Sequence, residues 1–239
     1  VKKGLNKNKN IFVEKPLCLN LKELEDIKKI IEKKNSNLMV GFNRRFSPFA
    51  KKIKNQFKDG KMTMLYRINA GNISPDSWIQ NDKIGGGRVV GEVCHFIDFM
   101  IYINGSLPSL VSANSLDDIN NLNDSLNISI KFKNGSIGII SYYANGNTNL
   151  PKEYVEINHL GSSAIINDFK ELKIYTGNKK IKSKLLNQDK GQKQMVKEFF
   201  DMLQKNEKLP ISFNETYATT LSTFLVLKSL KNEGKSYRI

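Results

Sequence analysis

The most constraining feature of this sequence is the stretch 85–98, which reads GGGRVVGEVCHFID. A triple glycine forms a tight turn without side chains, which a ligand or another segment of backbone can approach closely. Apolar residues then recur at steps of three and four positions, as on one face of a helix; they are Val89, Val90, Val93, Phe96, Ile97 and Met100. The stretch therefore predicts a glycine turn that opens a buried helix ending near residue 104.

Three polar residues, Glu92, His95 and Asp98, are spaced three apart on this predicted helix. Because each residue of an α-helix advances by about 100°, the three side chains would share an arc of roughly 120°. Two carboxylates and an imidazole beside a glycine turn suit proton transfer at a small bound molecule. A buried helix whose polar side chains bond to neighbouring backbone would show the same spacing, so the residues alone leave both interpretations open.

The composition favours one large domain, or one and a half smaller ones, since 39% of the 239 residues are hydrophobic. The sequence has no apolar run of about 18 residues and no signal-peptide core at its start. It does not begin with Met, which predicts a fragment or a processed chain. Two cysteines, Cys18 and Cys94, make no disulfide framework and no zinc motif, so a reducing cytoplasm is the expected compartment.

The formal net charge of +15 raises the question of a nucleic-acid or anionic lipid partner. The lysines are scattered along the chain, however, and no basic stripe alternates with aromatic residues as in single-strand binders. We therefore expect no nucleic acid and no membrane partner. The excess charge is better suited to attracting a ligand that bears phosphate.

A second constraint comes from the first 42 residues, which alternate between strand and helix patterns. Residues 9–14 form an apolar run that stops at a proline, which cannot continue a central strand. Residues 21–34 have helical periodicity behind Asn20, a favoured N-cap, and residues 38–42 form a second apolar run. Strand, helix and strand in this order predict a right-handed parallel crossover at the end of a doubly wound sheet.

Ligands of doubly wound sheets bind at the carboxyl ends of the strands. Polar clusters follow both predicted strands, namely Glu14, Lys15 and Pro16, and then Asn43, Arg44 and Arg45. These residues are therefore binding candidates. A Gly-x-Gly-x-x-Gly fingerprint, which would cradle the phosphates of a dinucleotide, follows no strand in the sequence.

Beyond residue 62 the pattern becomes that of an antiparallel sheet. Strand-like runs occur at 62–70, 110–115, 126–132, 137–144, 154–159, 163–167 and 171–175. Several are separated by short turns, as in hairpins. Helices are predicted at 47–58, 192–205 and 214–231.

These pieces in this order resemble the Gfo/Idh/MocA family of nicotinamide-dependent oxidoreductases. The matching motifs are Glu14-Lys15-Pro16, residues 41–46, residues 85–98 and residues 210–213. The resemblance implies an α/β (α+β) fold, with the truncated end of a Rossmann domain at 1–46 and a substrate and oligomerisation domain at 47–239. The second domain is expected to contain a large, mainly antiparallel sheet flanked by helices. Residues 91–98 are most similar to a subgroup often fused to a zinc-type alcohol dehydrogenase module.

The resemblance also implies roles for single residues. Lys15 would hydrogen-bond the substrate hydroxyl and stabilise a developing alkoxide, and His95 would be the general acid/base. An unperturbed histidine pKa of about 6.5 suits proton exchange with a sugar hydroxyl at neutral pH. Pro16 would position the nicotinamide, and the peptide bond before it is a candidate for the cis form.

Further contacts are expected around this pair. The implied cofactor-binding residues are Glu14, Lys15, Pro16 and Asn43, and the implied substrate-binding residues are Arg44, Glu92, Asp98 and Trp78. Many family members carry Asp at the position of Gly91, whereas here an acidic residue follows one position later, rotated by about 100°. Whether the longer side chain of Glu92 reaches the substrate stays open. Asp98 either orients the imidazole or stabilises the helix, and no metal site is expected.

The implied function is hydride transfer between NAD or NADP and a sugar-like secondary alcohol or ketone, with a cofactor site that is incomplete in this chain. A homo-oligomer formed through the C-terminal sheet is also expected. The alternative is a non-catalytic substrate-binding or oligomerisation module. The missing fingerprint and the apolar alternation of residues 128–144 suit that alternative as well.

Overall fold

The computed structural model describes residues 1–34, 36–81, 83–118 and 122–239. The helices are α1 (Lys2–Asn6), α2 (Leu21–Lys33), α3 (Pro48–Gln56), α4 (Cys94–Asn104), α5 (Gln192–Lys205) and α6 (Phe213–Leu230). A 3-10 turn covers Asn43–Phe46, and a π-helical turn, Val89–Val93, directly precedes α4. The strands are β1 (Ile11–Val13), β2 (Leu38–Val40), β3 (Met62–Asn69), β4 (Pro108–Ser115), β5 (Leu126–Phe132), β6 (Ile137–Tyr143), β7 (Glu153–His159), β8 (Ser162–Asn167), β9 (Glu171–Thr176), β10 (Lys179–Lys184) and β11 (Tyr237–Arg238).

The first part of the chain is the predicted parallel crossover. Strands β1 and β2 pair in parallel, with Phe12 opposite Met39, and α2 connects them. Asn20 caps α2 as expected, because its side chain accepts a hydrogen bond from the backbone N–H of Glu23. The carboxyl ends of both strands therefore lie at one edge, where the sequence places its polar clusters.

The rest of the chain is built on one large sheet. In the described residues its order is β10-β9-β8-β7-β3-β6-β5-β4-β11, and only the β3–β6 pair is parallel. The prediction of a large, mainly antiparallel sheet is thus confirmed. Strands β10 and β11 were not predicted, since β10 is almost entirely polar and exposed at an edge of the sheet.

Two apolar cores hold these parts together. The larger core lies between the inner face of the sheet and helices α3, α4 and α6. The smaller core joins α2 and β2 to α5, a helix that lies some 150 residues further along the chain (Phe12 and Phe199, for example, have ring centroids 5.4 Å apart). The N-terminal crossover therefore packs directly on a helix from the last quarter of the chain.

The glycine stretch differs from the sequence expectation in one respect. The turn itself is as predicted: Gly86 and Gly87 have φ values of +76° and +69°, and a Cβ on Gly85 would lie 2.6 Å from the carbonyl oxygen of Trp78. The following helix, however, is not uniformly α-helical, because residues 89–93 form the π-helical turn. The constant step of about 100° therefore fails there, and Glu92, His95 and Asp98 do not share one α-helical arc.

Candidate active site

The site begins with Lys15, which follows the carboxyl end of β1. The Lys15–Pro16 peptide bond is cis, as the sequence suggested. The Lys15 ammonium donates a hydrogen bond of 2.7 Å to the carbonyl oxygen of Gly91, inside the π-helical turn. This contact joins two motifs that are 76 residues apart in sequence.

His95 lies on the first turn of α4, beside this contact. Its side chain is almost buried, at 8% exposure, and its Nδ1 makes no hydrogen bond within the described residues. Phe42, just after β2, meets the imidazole edge-on at 6.2 Å. Burial first, and then the charges of Arg44 and Lys15, lower the pKa of His95 well below its ordinary value. The imidazole is therefore neutral at neutral pH and able to accept a proton.

Arg44 is not free to bind a substrate anion. Its guanidinium makes two hydrogen bonds to Glu153 on β7, from Nε at 2.7 Å and from Nη2 at 2.9 Å. Glu153 is fully buried and also binds the Lys190 ammonium at 2.6 Å and the Tyr66 hydroxyl. Burial opposes ionisation of Glu153, but Arg44 and Lys190 hold its pKa at about 2. The resemblance implied that Arg44 contacts the substrate, whereas in the structure its guanidinium forms a buried ion pair with Glu153.

The Asp98 carboxylate is likewise occupied by an ion pair, formed with Arg45. Both of its oxygens accept hydrogen bonds from Arg45, at 2.6 and 2.9 Å, and Arg45 also donates to Glu215 at 2.9 Å. Asp98 is fully buried, and burial raises its pKa to about 6 although Arg45 opposes this. It has no hydrogen bond to His95 and no open face toward a ligand. The expected substrate contact of Asp98 is therefore replaced by an ion pair between α4 and the 3-10 turn.

Glu92 is the acidic residue that remains partly open. One oxygen accepts a hydrogen bond of 2.8 Å from the Tyr142 hydroxyl, and the other lies 3.5 Å from Nε of Arg88. The Glu92 side chain is 21% exposed. Glu92 is the residue directly after Gly91, whose carbonyl oxygen binds Lys15.

The other predicted site residues lie around the rim. Asn43 donates a hydrogen bond to the carbonyl of Lys190 at 2.9 Å. The Glu14 carboxylate packs against Gly41, where a Cβ would approach within 3.1 Å of it. The Trp78 side chain is 64% exposed, and its backbone rather than its ring contacts the glycine turn. The structure thus brings the Lys15 ammonium and the His95 imidazole into one electrostatic environment, whereas the Glu92 carboxylate contacts Tyr142 and Arg88.

Several residues at the site were not predicted from the sequence, namely Tyr66, Arg88, Tyr142, Glu153 and Lys190. They reach the site from strands and loops distant in sequence, without a local motif. The one available signal was Arg44 itself, since a buried arginine needs a carboxylate partner.

The residues fit one end of a nicotinamide dinucleotide. Lys15 and Pro16 lie at the carboxyl end of the parallel pair, where such ligands bind, next to a buried neutral imidazole with an unpaired nitrogen. Gly41 at the end of β2 leaves no side chain over this edge. The fingerprint that would hold the pyrophosphate does not occur in the sequence, so the fit concerns the nicotinamide end alone.

Comparison with known proteins defines the class. Residues 1–71 match the family model described as "Oxidoreductase family, NAD-binding Rossmann fold", and residues 55–237 match "Oxidoreductase family, C-terminal alpha/beta domain". The two matches together cover the dinucleotide-binding part and the C-terminal α/β part of this family. The chain belongs to the GFO/IDH/MocA oxidoreductase family.

Individual relatives agree with this assignment. The chain is 30% identical over 149 residues to the uncharacterized oxidoreductase YrbE of Bacillus subtilis, covering 59% of this chain and 43% of that protein. It is 29% identical over 140 residues to a myo-inositol 2-dehydrogenase of Thermotoga maritima, covering 55% of this chain and 42% of that protein. A levoglucosan dehydrogenase, solved in complex with NADH and L-sorbose, superposes with a TM-score of 0.82 at 21% identity, over 98% of this chain and 74% of that one.

The chain thus spans less than half the length of these curated relatives. The described helices include none that is both long and apolar enough to cross a bilayer.

Proposed function

We propose that this chain carries the substrate side of the active site of an NAD- or NADP-dependent dehydrogenase that acts on a secondary alcohol of a sugar, nucleotide sugar or inositol. The observation that supports the proposal is that the Lys15 ammonium, bound to the Gly91 carbonyl, acts electrostatically on the buried His95 imidazole. An ammonium and an uncharged base in one partly buried site are the two groups that alcohol oxidation needs.

Each residue has a distinct task in the oxidation direction. The Lys15 ammonium donates a hydrogen bond to the substrate hydroxyl oxygen and stabilises the negative charge that develops there. Neutral His95 accepts the hydroxyl proton, for which its lowered pKa keeps it in the basic form. A bound nicotinamide would supply the hydride acceptor for the same carbon.

Glu92 completes the proposed site. It is the acidic side chain nearest in sequence to the Gly91 carbonyl and is partly exposed. A carboxylate accepts hydrogen bonds from hydroxyl groups, so Glu92 suits a polyol with hydroxyls beside the reacting carbon. It takes the place of the Asp that relatives with the usual motif carry at position 91.

Three further features, the sheet face, the form of residues 91–98 and the cysteines, belong to the same proposal. The outer face of the large sheet exposes Ile137 and Ile139, at 51% and 47%, which suits packing against a second copy of the chain. The form of residues 91–98 suits the subgroup in which such a chain is joined to a zinc-type alcohol dehydrogenase module. Two buried free cysteines, Cys18 and Cys94, suit a reducing cytoplasm.

The direct test is nicotinamide reduction by the protein produced from its complete gene. Inositols, aldoses, sugar acids and nucleotide sugars are supplied with NAD or NADP, and the absorbance of the reduced nicotinamide is followed. We expect turnover of at least one polyol, lowered about 100-fold or more by His95→Asn. Turnover that His95→Asn leaves unchanged would refute the proposed mechanism and favour the non-catalytic alternative.

A further inference from the structure

The hydroxyl of Tyr142 is bound to Glu92 and also interacts with the Arg88 side chain. Tyr142 lies on the inner face of β6 and is fully buried, and its hydroxyl donates a hydrogen bond of 2.8 Å to the Glu92 carboxylate. Its ring is fixed between the ring of Phe96, 6.2 Å away, and the guanidinium of Arg88, 5.1 Å away. A buried ring in such a position has little freedom, so its hydroxyl is a fixed donor.

Arg88 holds the same carboxylate from another side. It is 2% exposed and donates to the carbonyls of Gly71 at 2.6 Å and Ala70 at 3.3 Å, just beyond the end of β3. Its Nε lies 3.5 Å from the second oxygen of Glu92. Strands β3 and β6 are parallel neighbours, so their carboxyl ends lie at the same edge of the sheet. Tyr142 and the two carbonyls that Arg88 binds therefore lie at this edge.

Glu92 keeps hydrogen-bonding capacity after these contacts. An ionised carboxylate has about four lone-pair directions, and the described residues give Glu92 one hydrogen bond and one longer ionic contact. The Glu92 side chain is 21% exposed, so part of it is open to a ligand. The neighbouring Gly91 has no side chain, and its carbonyl is already bound by Lys15.

We propose that Tyr142 and Arg88 are positioning residues that hold Glu92 so that it accepts hydrogen bonds from the substrate hydroxyls beside the reacting carbon. The inference rests on the proposed function and adds a substrate class to it: polyols with an intact neighbouring hydroxyl, in preference to their deoxy analogues. A site built to bind a hydroxyl discriminates against a ligand that lacks it, because its own polar group is then left unpaired.

The test is a double-substitution cycle in the protein from its complete gene. Tyr142→Phe removes the hydroxyl and keeps the buried ring. We expect it to raise KM for a polyol substrate about tenfold, with kcat changed less than threefold, and to raise the calorimetric Kd of the same polyol in parallel. In a Glu92→Ala background, which removes the acceptor, the added Tyr142→Phe substitution should change neither constant, because its effect acts through the carboxylate.

Tyr143→Phe is the matched control. The adjacent tyrosine points to the opposite face of the sheet, where its hydroxyl donates to Asn127 at 2.9 Å, and its loss should leave KM and Kd unchanged. A Tyr142→Phe effect equal to that of the control, or one that persists undiminished in the Glu92→Ala background, would overturn the inference. If His95→Asn abolishes turnover while Tyr142→Phe is silent, the proposed function stands and this inference fails; if His95→Asn is silent, the proposed function fails.

Discussion

At the scale of single residues, the tandem arginines of the 3-10 turn have structural tasks. Arg44 reaches Glu153 on the sheet, and Arg45 reaches Asp98 on α4 and Glu215 on α6. Two adjacent side chains thus tie the N-terminal crossover to three elements of the C-terminal part. Their charges are paired in the interior, where an uncompensated charge is strongly destabilising.

Neutralising Glu153 should therefore destabilise the protein. Glu153→Gln keeps the shape of the side chain but leaves Arg44 and Lys190 without their counter-ion, and we expect a loss of about 3–5 kcal/mol in the free energy of unfolding. Denaturant unfolding monitored by circular dichroism measures it. Glu171→Gln is the control, since Glu171 also contacts three lysines but at the surface, and should have a much smaller effect. Equal losses in the two variants would contradict the buried-network interpretation.

The lowered pKa of His95 predicts a pH dependence of stability. The unfolded chain binds a proton at this histidine below about pH 6.5, whereas the native protein does so only at lower pH. Stability is therefore fully present above about pH 6.5 and is lost as the pH falls, by up to about 1.4 kcal/mol per pH unit from this group. The difference in unfolding free energy between the wild type and His95→Gln, measured from pH 7 to pH 5, should show this slope. A difference that is constant with pH would rule it out.

At the residue scale, the resemblance suggested the cis peptide bond at Pro16, and the structure has it. The partners of Arg44 and Asp98 could not be predicted, because they are decided by tertiary packing. The structure agrees with the stabilising alternative for Asp98, since both of its oxygens bind Arg45. Glu153 lies 109 residues from Arg44, and no periodicity in either segment indicates that they meet.

At the scale of elements, the glycine turn is fixed by close backbone packing. A Cβ on Gly85 would lie within 2.6 Å of backbone atoms of Trp78 and Ile79, which cannot move as a flexible side chain could. We expect Gly85→Ala to destabilise the protein by about 1–3 kcal/mol and to lower activity, because the turn leads into the π-helical segment that Lys15 contacts. Thermal unfolding and turnover measure the two effects.

Gly177→Ala provides the comparison for this substitution. Gly177 has a positive φ, +52°, and a Cβ there meets nothing within 4 Å. Its substitution should cost only the backbone strain and leave turnover unaffected. If both glycine variants behave alike, steric contact at Gly85 is not what shapes the turn.

The elements themselves were largely predictable from periodicity. Strand β5 and helix α5 have the bounds that their patterns predict, since each has one apolar face and clear turn residues around it. The π-helical turn was missed because its apolar spacing is the same as that of an α-helix. Strand β10 was missed because its lysines and single isoleucine carry no burial signal, and it forms by pairing with β9.

At the scale of the whole molecule, the isoleucines that alternate along β5 and β6 lie on two different faces of the large sheet. Ile128, Ile130 and Ile140 face the core and are buried, whereas Ile137 and Ile139 face outward and are exposed. Only the outward residues are therefore relevant to association. Apolar side chains in the middle of an open sheet face are suited to burial against another copy.

A charge on this face should prevent association. We expect the wild-type protein to be an oligomer and Ile139→Lys to shift it toward the monomer, as measured by light scattering over a range of concentrations. Leu160→Lys is the control, since Leu160 is 77% exposed on the β7–β8 turn, away from the middle of the face. A wild-type protein that remains monomeric at high concentration would refute the proposed interface.

The central claim is that Lys15 and His95 share one electrostatic environment, and an NMR titration tests it most directly. The 239-residue sequence contains only two histidines, so the His95 and His159 ring signals are readily resolved. We predict that His95 titrates well below pH 6.5 in the wild type and that Lys15→Met moves its pKa upward, toward the ordinary value. A His95 titration that is the same with and without the Lys15 ammonium would contradict the account.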